Sequence, residues 1–401
     1  MPKVFRLKGT IQNYAWGGKD FIADLIGVEK SSKPVAEYWL GAHANSPSVV
    51  STSEGEITLD KYLDQDLTGR LGENVRKAFG RLPFLFKVLD VKDMLSIQVH
   101  PTKKQAEIGY EKDNAAGVQL NASNRNFKDD NHKPEIMVAL SEFWLLHGFL
   151  PEEKLHQTLN NVPEFNHLIP TFDSAGYKGL YQQVMEQSQE QCNENLKPLI
   201  ERILPKYENG ELDKSSPDFW AARAVKLDST NQDLDKGIYS IYFFNIVKAN
   251  QGEAVFQDAG LPHAYLEGQN IELMANSDNV LRGGLTPKHV DIQELMAHVK
   301  FEETIPNIIK GDLSDDTLER TFPSPVKDFE LSKVEVTSKA IYERKCETVE
   351  IILLFDGETT VSENGNQIAL KQGEVVLATY GADYKISSES GAVLFKASVP
   401  V

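Results

Sequence analysis

Two potential metal ligands stand two residues apart in Leu95-Ser96-Ile97-Gln98-Val99-His100-Pro101. Read as a strand ended by proline, this stretch puts Ser96, Gln98 and His100 on one face and Leu95, Ile97 and Val99 on the other. Glu135 follows His132-Lys133-Pro134 at the entrance of the apolar run Ile136-Met137-Val138-Ala139-Leu140, and His263 follows Leu261-Pro262 at the mouth of another strand. Gln98, His100, Glu135 and His263 together offer two imidazoles, a carboxylate and an amide oxygen. That N/O set suits Zn²⁺, and Fe²⁺, Mn²⁺, Co²⁺ or Ni²⁺ would also fit. With neutral His and Gln, one carboxylate leaves a divalent site at net +1, which favours an anionic ligand or a developing oxyanion.

Each of these residues also has a plainer reading. A lone strand histidine is commonly a hydrogen-bonded core residue, and Glu135 could be a solvated strand end. A closed four-ligand set could hold a structural ion, although small structural zinc sites normally use thiolates and a chain of this size does not need one. Lys87, Lys133, Arg282 and Lys288 lie on or beside the ligand-bearing stretches. Arg and Lys at a site mouth can bind phosphate, by a planar fork or as a point charge; charged loops can equally be solvated surface. Spacing alone leaves both readings open and names no substrate.

The elements that must position these groups are mainly strands. Residues 4–93 mix short apolar segments with frequent Gly and Pro, a β-rich pattern with irregular connections. Within it Lys87 interrupts Leu82-Pro83-Phe84-Leu85-Phe86-Lys87-Val88-Leu89; a buried lysine is costly unless paired, so it snorkels outward or points into a site. Thr102 with Gln105 predicts a capping box opening a helix that runs to about Leu120. Residues 151–230 change to helical spacing, with Leu196, Leu199, Ile200 and Ile203 at intervals of three and four, and are predicted to be a helical insertion. Strand character returns at residues 237–247, at 252–256, at 261–266 and at 271–275, where alternation sets Glu272 opposite Ile271 and Leu273. A short helix is expected over residues 291–299. Beyond about residue 322 the pattern is again all-β, with Asn364-Gly365 as a hairpin turn. Gly373-Glu374-Val375-Val376-Leu377 echoes Gly252-Glu253-Ala254-Val255-Phe256, but no histidine follows His298, so this second β unit reads as a duplicated barrel without a metal site.

Composition bounds the function. The 401 residues allow two or three domains. The net charge of −17 disfavours nucleic acid as a partner, since a phosphate backbone needs a clustered basic surface. No apolar run approaches a bilayer span and Met1-Pro2-Lys3-Val4-Phe5-Arg6 lacks a signal-peptide core, so no membrane partner and a cytoplasmic location are expected. Only Cys192 and Cys346 are present, so any metal must use nitrogen and oxygen ligands.

Several of these stretches together resemble one family, the type I mannose-6-phosphate isomerases, and its bacterial branch in particular. The resemblance runs over essentially the whole chain, through Tyr14-Ala15-Trp16-Gly17, residues 95–101, His132-Lys133-Pro134-Glu135 and the long run from Leu261 to Asp291. It implies one Zn²⁺ per chain on Gln98, His100, Glu135 and His263, an active-site arginine at Arg282, and pocket positions at Ser96, Lys133, Tyr265, Glu272 and Lys288. Gln257-Asp258 is more polar than the family pattern and Gly283 stands where Ala is also familiar. The implied fold is mainly β: two cupin-type (jelly-roll) barrels, the catalytic one from residues 1–150 and 231–310, the helical insertion at 151–230, and a C-terminal cupin-like barrel at 311–401. The implied activity is interconversion of D-mannose 6-phosphate and D-fructose 6-phosphate through a cis-enediol(ate), placing the protein in mannose metabolism and GDP-mannose biosynthesis. Glu272 is the first candidate for the base, and Lys133 or Lys87 for the phosphate. The expected partner is a small phosphosugar and the expected state a monomer. The alternatives are a non-catalytic sugar-binding bicupin or another cupin metalloenzyme, such as an iron dioxygenase.

Overall fold

Two antiparallel sheets, one of ten strands and one of twelve, organise the computed structural model, which describes residues 2–228 and 233–400. The end of the helical insertion, expected near Thr230, lies outside the described residues. The ten-stranded sheet carries the candidate chemistry. Its central strand, His263–Ala275, pairs with Phe84–Val91 on one side and with Glu135–Ala139 and Phe143–Phe149 on the other. His263 also lies in register with Gln98, and Gln98 in turn with Arg282.

Sequence alternation divided residues 261–275 into two strands; they form one, interrupted by a bulge. Tyr265 pairs with Leu145 and Glu267 with Trp144, so one extra residue is inserted between them. Side chains alternate with period two, and an inserted residue reverses which face the later residues take. His263 and Tyr265 therefore share a face with Glu272 despite an odd sequence separation. Gly268 makes the bulge sterically possible: its φ is +126°, and a Cβ there would lie 2.7 Å from the Glu142 carbonyl oxygen.

Three further readings are corrected. Residues 95–101 form a regular strand only at Gln98–Val99, because Leu95 and Ile97 donate their amides to Tyr265 O and Gly284 O outside any ladder. The predicted alternation holds for Ile97 and Val99, which are buried among insertion side chains, but not for Leu95, which lines the same cavity as Ser96 and Gln98 because no ladder fixes the period there. Gly237–Phe243 is a helix. Its apolar residues are buried on every side, and an all-apolar run of this length does not distinguish a buried helix from a buried strand. Residues 4–93 contain four short helices, Phe21–Ile26, Leu59–Asp64, Leu67–Leu71 and Glu73–Phe79, where only irregular connections were expected.

Other local signals act as read. Thr102 and Gln105 form a reciprocal capping box at the start of Lys103–Ala115, Asp291 caps Ile292–His298, and Asn364 and Gly365 turn with φ of 48° and 84° between Glu350–Glu363 and Asn366–Lys371. Helices Glu152–Asn161, Ile169–Glu186, Gln189–Glu208 and Pro217–Leu227 occupy the predicted insertion. The internal echo is structural as well: Gly252 and Gly373 both take positive φ, and Glu253 and Glu374 each accept the amide three residues upstream at 2.8 Å.

The twelve-stranded sheet is not made by residues 311–401 alone. Val4–Lys8 lies between Val375–Ala378 and Val49–Thr52, and Gly55–Thr58 completes the edge. The two sheets meet through a buried core in which Phe84, Phe86, Val88, Ile271 and Leu273 pack with Ile351, Leu353, Val375 and Leu377; each such side chain contributes about 1.5–3 kcal/mol by leaving water. Within the second sheet a fully buried ammonium, Lys396, is held by Glu319 at 2.6 Å and by the Tyr342 hydroxyl at 3.0 Å.

Candidate metal centre

His100, Glu135 and His263 converge so that one ligand atom from each lies within 4.8 Å of the others, and all three are buried. The Nε2 atoms of His100 and His263 each stand 3.4 Å from Glu135, one facing Oε1 and the other Oε2. Both imidazoles are oriented from behind: His100 Nδ1 donates to Asn279 O at 2.8 Å and His263 Nδ1 to Leu261 O at 2.9 Å. A ring whose Nδ1 carries the proton presents a lone pair at Nε2, the usual arrangement for a ligating histidine. His100 Nε2 is buried without a hydrogen-bond donor or acceptor in the protein, which a divalent cation would satisfy. Burial, reinforced by the Lys133 ammonium, lowers the His100 pKa to about 4, so the ring is neutral at pH 7. Burial alone would raise the Glu135 carboxyl, but Lys133 at 2.8 Å and the two imidazoles hold it well below the usual range. Gln98 lies between His263 and Arg282 in strand register. The residues present fit a divalent cation with N/O ligands.

This centre opens into a cavity of about 740 Å³. Ser96, Gln98, Lys133, Glu135, His263, Tyr265, Glu272, Arg282, Lys288 and Lys87 all line it, and His100 lies behind its wall. On its floor Lys87 sits directly opposite Glu272 across two strands. The ammonium is 2.8 Å from Glu272 Oε2 and 3.6 Å from Glu37 Oε2. Of the two options left open for Lys87, the side chain takes the inward one. Burial opposes its charge, but Glu272 and Glu37 more than compensate and raise its pKa. The other Glu272 oxygen accepts from the Tyr265 hydroxyl at 2.9 Å. Burial and the nearby carboxylates Glu135 and Glu37 raise the Glu272 pKa, while Lys87 and Lys133 pull it back. Arg282 is half-buried, and among the described residues its guanidinium has no hydrogen bond or ion pair; burial lowers its pKa. Lys288 is exposed at the cavity's rim. Ser96 lines the wall beside Gln98.

Several contributors to the site escaped the sequence reading. Glu37 lies in one of the short apolar segments of residues 4–93, and alternation with Trp39 is its available signal. Its carboxylate accepts the Trp39 indole N–H, and Trp39 pairs in register with Lys87. Asn279, within the run from Leu261 to Asp291, carries no local signal of a role; fully buried, it joins residues 128–131 to the His100 backbone contact. The stacked pair Tyr14 and Trp16, 5.8 Å apart, also lines the cavity, as do the insertion residues Ala224 and Val225 and, beyond the insertion, Asp235.

Fold and site together define a mainly β protein with a buried nitrogen and oxygen centre suited to a metal, open to a polar cavity. Residues 4–152 match the family model for the phosphomannose isomerase type I catalytic domain. The chain is 39% identical over 375 residues to mannose-6-phosphate isomerase of Escherichia coli (strain K12), covering 92% of this chain and 93% of that one. It is 33% identical to the Rattus norvegicus mannose-6-phosphate isomerase over 100% and 96% of the two chains. Solved mannose 6-phosphate isomerase structures superpose over the full length of both chains. One from Salmonella typhimurium, bound to substrate and a zinc atom, has a TM-score of 0.89 at 33% identity and covers 100% of each chain. The chain belongs to the mannose-6-phosphate isomerase family of enzymes.

Proposed function

We propose that this protein is a zinc-dependent aldose-ketose isomerase that interconverts D-mannose 6-phosphate and D-fructose 6-phosphate through a cis-enediol(ate). The observation that carries the reading is the placement of an N/O metal centre and a buried carboxylate with raised proton affinity in one cavity. Gln98, His100, Glu135 and His263 would hold one Zn²⁺ per chain, which when bound supplies Lewis acidity toward substrate oxygens.

The chain's own residues supply the remaining steps. Glu272 removes the proton from C2 of the open-chain aldose and returns it to C1. A base works best with a pKa near the operating pH, and the burial that raises the Glu272 pKa moves it in that direction. Tyr265 and Lys87 fix its two oxygens, so the carboxylate is aimed before substrate arrives. Arg282, without a carboxylate partner, directs its charge at the enediolate oxygen. Lys133 remains beside Glu135 and tempers the charge of the metal site. The structure changes the weighting of the phosphate candidates. Lys87 and Lys133 are each engaged by a carboxylate at 2.8 Å, whereas Lys288 has no ion-pair partner among the described residues. Lys288 at the rim, with Ser96 on the wall, is therefore the better receiver of the phosphate.

The same reading treats each sheet system as a cupin-type barrel, the second without a metal, and the molecule as a monomer acting in the cytoplasm in mannose metabolism. Among the described residues no helix is long and apolar enough to cross a membrane. The decisive experiment couples fructose 6-phosphate formation to a reporter, before chelation, after it, and after zinc is added back. Activity lost with chelator and restored by zinc is expected. A folded, zinc-loaded protein that does not turn over mannose 6-phosphate would leave a sugar-binding protein as the function.

A further inference from the structure

We infer that Asp235 is a positioning residue for Arg282, acting through the backbone of the loop that follows it; the inference rests on the role just proposed for Arg282. Arg282 has no side-chain partner among the described residues, so its aim depends on the backbone that carries it. That backbone is held on one side by residues 97 and 98. Arg282 pairs in register with Gln98, Gly283 N donates to Ile97 O at 2.9 Å, and Ile97 N donates to Gly284 O at 3.0 Å.

On the other side, among the described residues, the clamp is the Asp235 carboxylate. Asp235 Oδ1 accepts the amides of Gly237 at 2.6 Å and Leu285 at 2.8 Å, and Oδ2 accepts that of Thr286 at 3.1 Å. The loop it holds is strained. Leu285 has φ of +55°, which a branched side chain rarely adopts, and Gly284 has φ of +113°. A Cβ on Gly284 would lie 2.6 Å from Gly237 Cα, so the two backbone segments are in close contact. Such a conformation persists only where its surroundings over-determine it, and three charge-assisted hydrogen bonds to one carboxylate do so.

The carboxylate is itself anchored in the helical insertion. Lys236 Nζ donates to the carbonyls of Met185 at 2.7 Å and Gln187 at 2.5 Å, and Leu234 N donates to Asn193 Oδ1 at 2.9 Å. A mechanical path thus runs from helices Ile169–Glu186 and Gln189–Glu208 through Asp235 to the arginine. It gives the insertion a part in orienting the arginine, beside the cavity lining that Ala224 and Val225 contribute.

The test is a double-mutant cycle with Asp235→Ala, Asp235→Asn and Arg282→Ala, read by kcat and KM for mannose 6-phosphate, zinc content, and the rate at which phenylglyoxal labels Arg282, followed by peptide mass spectrometry. Displacement of a catalytic group by about 1 Å can cost on the order of 100-fold. Asp235→Ala should therefore lower kcat by roughly 10- to 100-fold with KM and zinc content little changed, and should alter the Arg282 labelling rate at least about threefold, a smaller response than that for turnover. Asp235→Asn, whose one carbonyl oxygen can still accept two of the three amides, should restore most of both. In the Arg282→Ala background Asp235→Ala should change kcat by less than about twofold, because coupled residues lose their separate effects. Independent, multiplying losses, or a fall in kcat with the wild-type labelling rate, would overturn the inference. If the wild-type enzyme does not isomerise the sugar, the isomerase reading fails by that result, and the labelling rates of the Asp235 variants still decide the positioning role.

Discussion

Replacing Lys87 by Met tests the arrangement of the cavity floor. The ammonium lies 2.8 Å from Glu272 and 3.6 Å from Glu37, with all three side chains largely withdrawn from solvent. At an effective dielectric of about 20 these separations correspond to gross attractions of roughly 6 and 5 kcal/mol, opposed by the cost of desolvating three charges. Met keeps most of the apolar volume and removes the charge, leaving Glu272 and Glu37 without their paired ammonium, with only Lys133 acting on Glu272 from farther away. Two effects follow. Breaking a buried pair by removing one partner costs about 3–5 kcal/mol of stability, read as a lower midpoint in urea. An opposite charge at this range holds a carboxyl down by about 1–3 pKa units, so without it the acid limb of the kcat profile should move up by that amount. At pH 6 turnover falls steeply, and at pH 9 much of it returns. The assay is kcat from pH 5 to 9 on zinc-loaded protein, with metal content measured at each end. An equal loss of kcat at every pH, with the acid limb unmoved, would refute the assignment of Glu272 as a base tuned by Lys87.

Other perturbations reach different parts of the molecule. Asn279→Ala releases residues 128–131 from the carbonyl that orients His100 and should weaken zinc binding about 10- to 100-fold, measured by competition with a chromogenic chelator. In metal-free protein, burial lowers the His100 pKa from 6.5 to about 4. The unfolded chain then binds the extra proton between those values, so the contribution is present above pH 6.5 and lost as pH falls through about 4. It amounts to about 3 kcal/mol, and the same pH series on His100→Asn should lack it; matching curves would count against it. Lys396→Ala leaves the half-buried Glu319 without its ammonium, while Glu350 keeps Arg344 at 3.3 Å, and should cost about 3 kcal/mol in urea, with kcat within about twofold since Lys396 does not line the cavity.

Much of the site was legible because local chemistry and strand period are local properties. Proline at 101, 134 and 262 marks strand boundaries, and beside each stands a residue able to ligate a metal. The alternation that separated Ser96, Gln98 and His100 from Leu95, Ile97 and Val99 holds for Ile97 and Val99, which find a buried partner face, and fails at Leu95, which lines the cavity where the ladder is absent. The helix at Gly237–Phe243 was missed for the converse reason: when every residue is buried, no polar face remains to report the period. Glu37 was missed because its importance comes from a strand neighbour, Lys87, fifty residues away.

The sequence by itself determined the donor types, the absence of a thiolate site, the helical insertion, the turns at Gly252, Gly373 and Asn364, and through its resemblance the family. Tertiary structure decided which charges are available. Lys87 and Lys133 are engaged by carboxylates, while Arg282 and Lys288 line the cavity without an ion-pair partner among the described residues, a distinction that depends on distances between strands. It also decided that Glu272 shares a face with His263 and Tyr265, toward the candidate metal centre. Counting by twos from His263 sends Glu272 to the opposite face; the residue inserted between Tyr265 and Glu267 turns it back. A bulge is set by how a strand fits both of its neighbours at once, and that fit is not written in the strand alone.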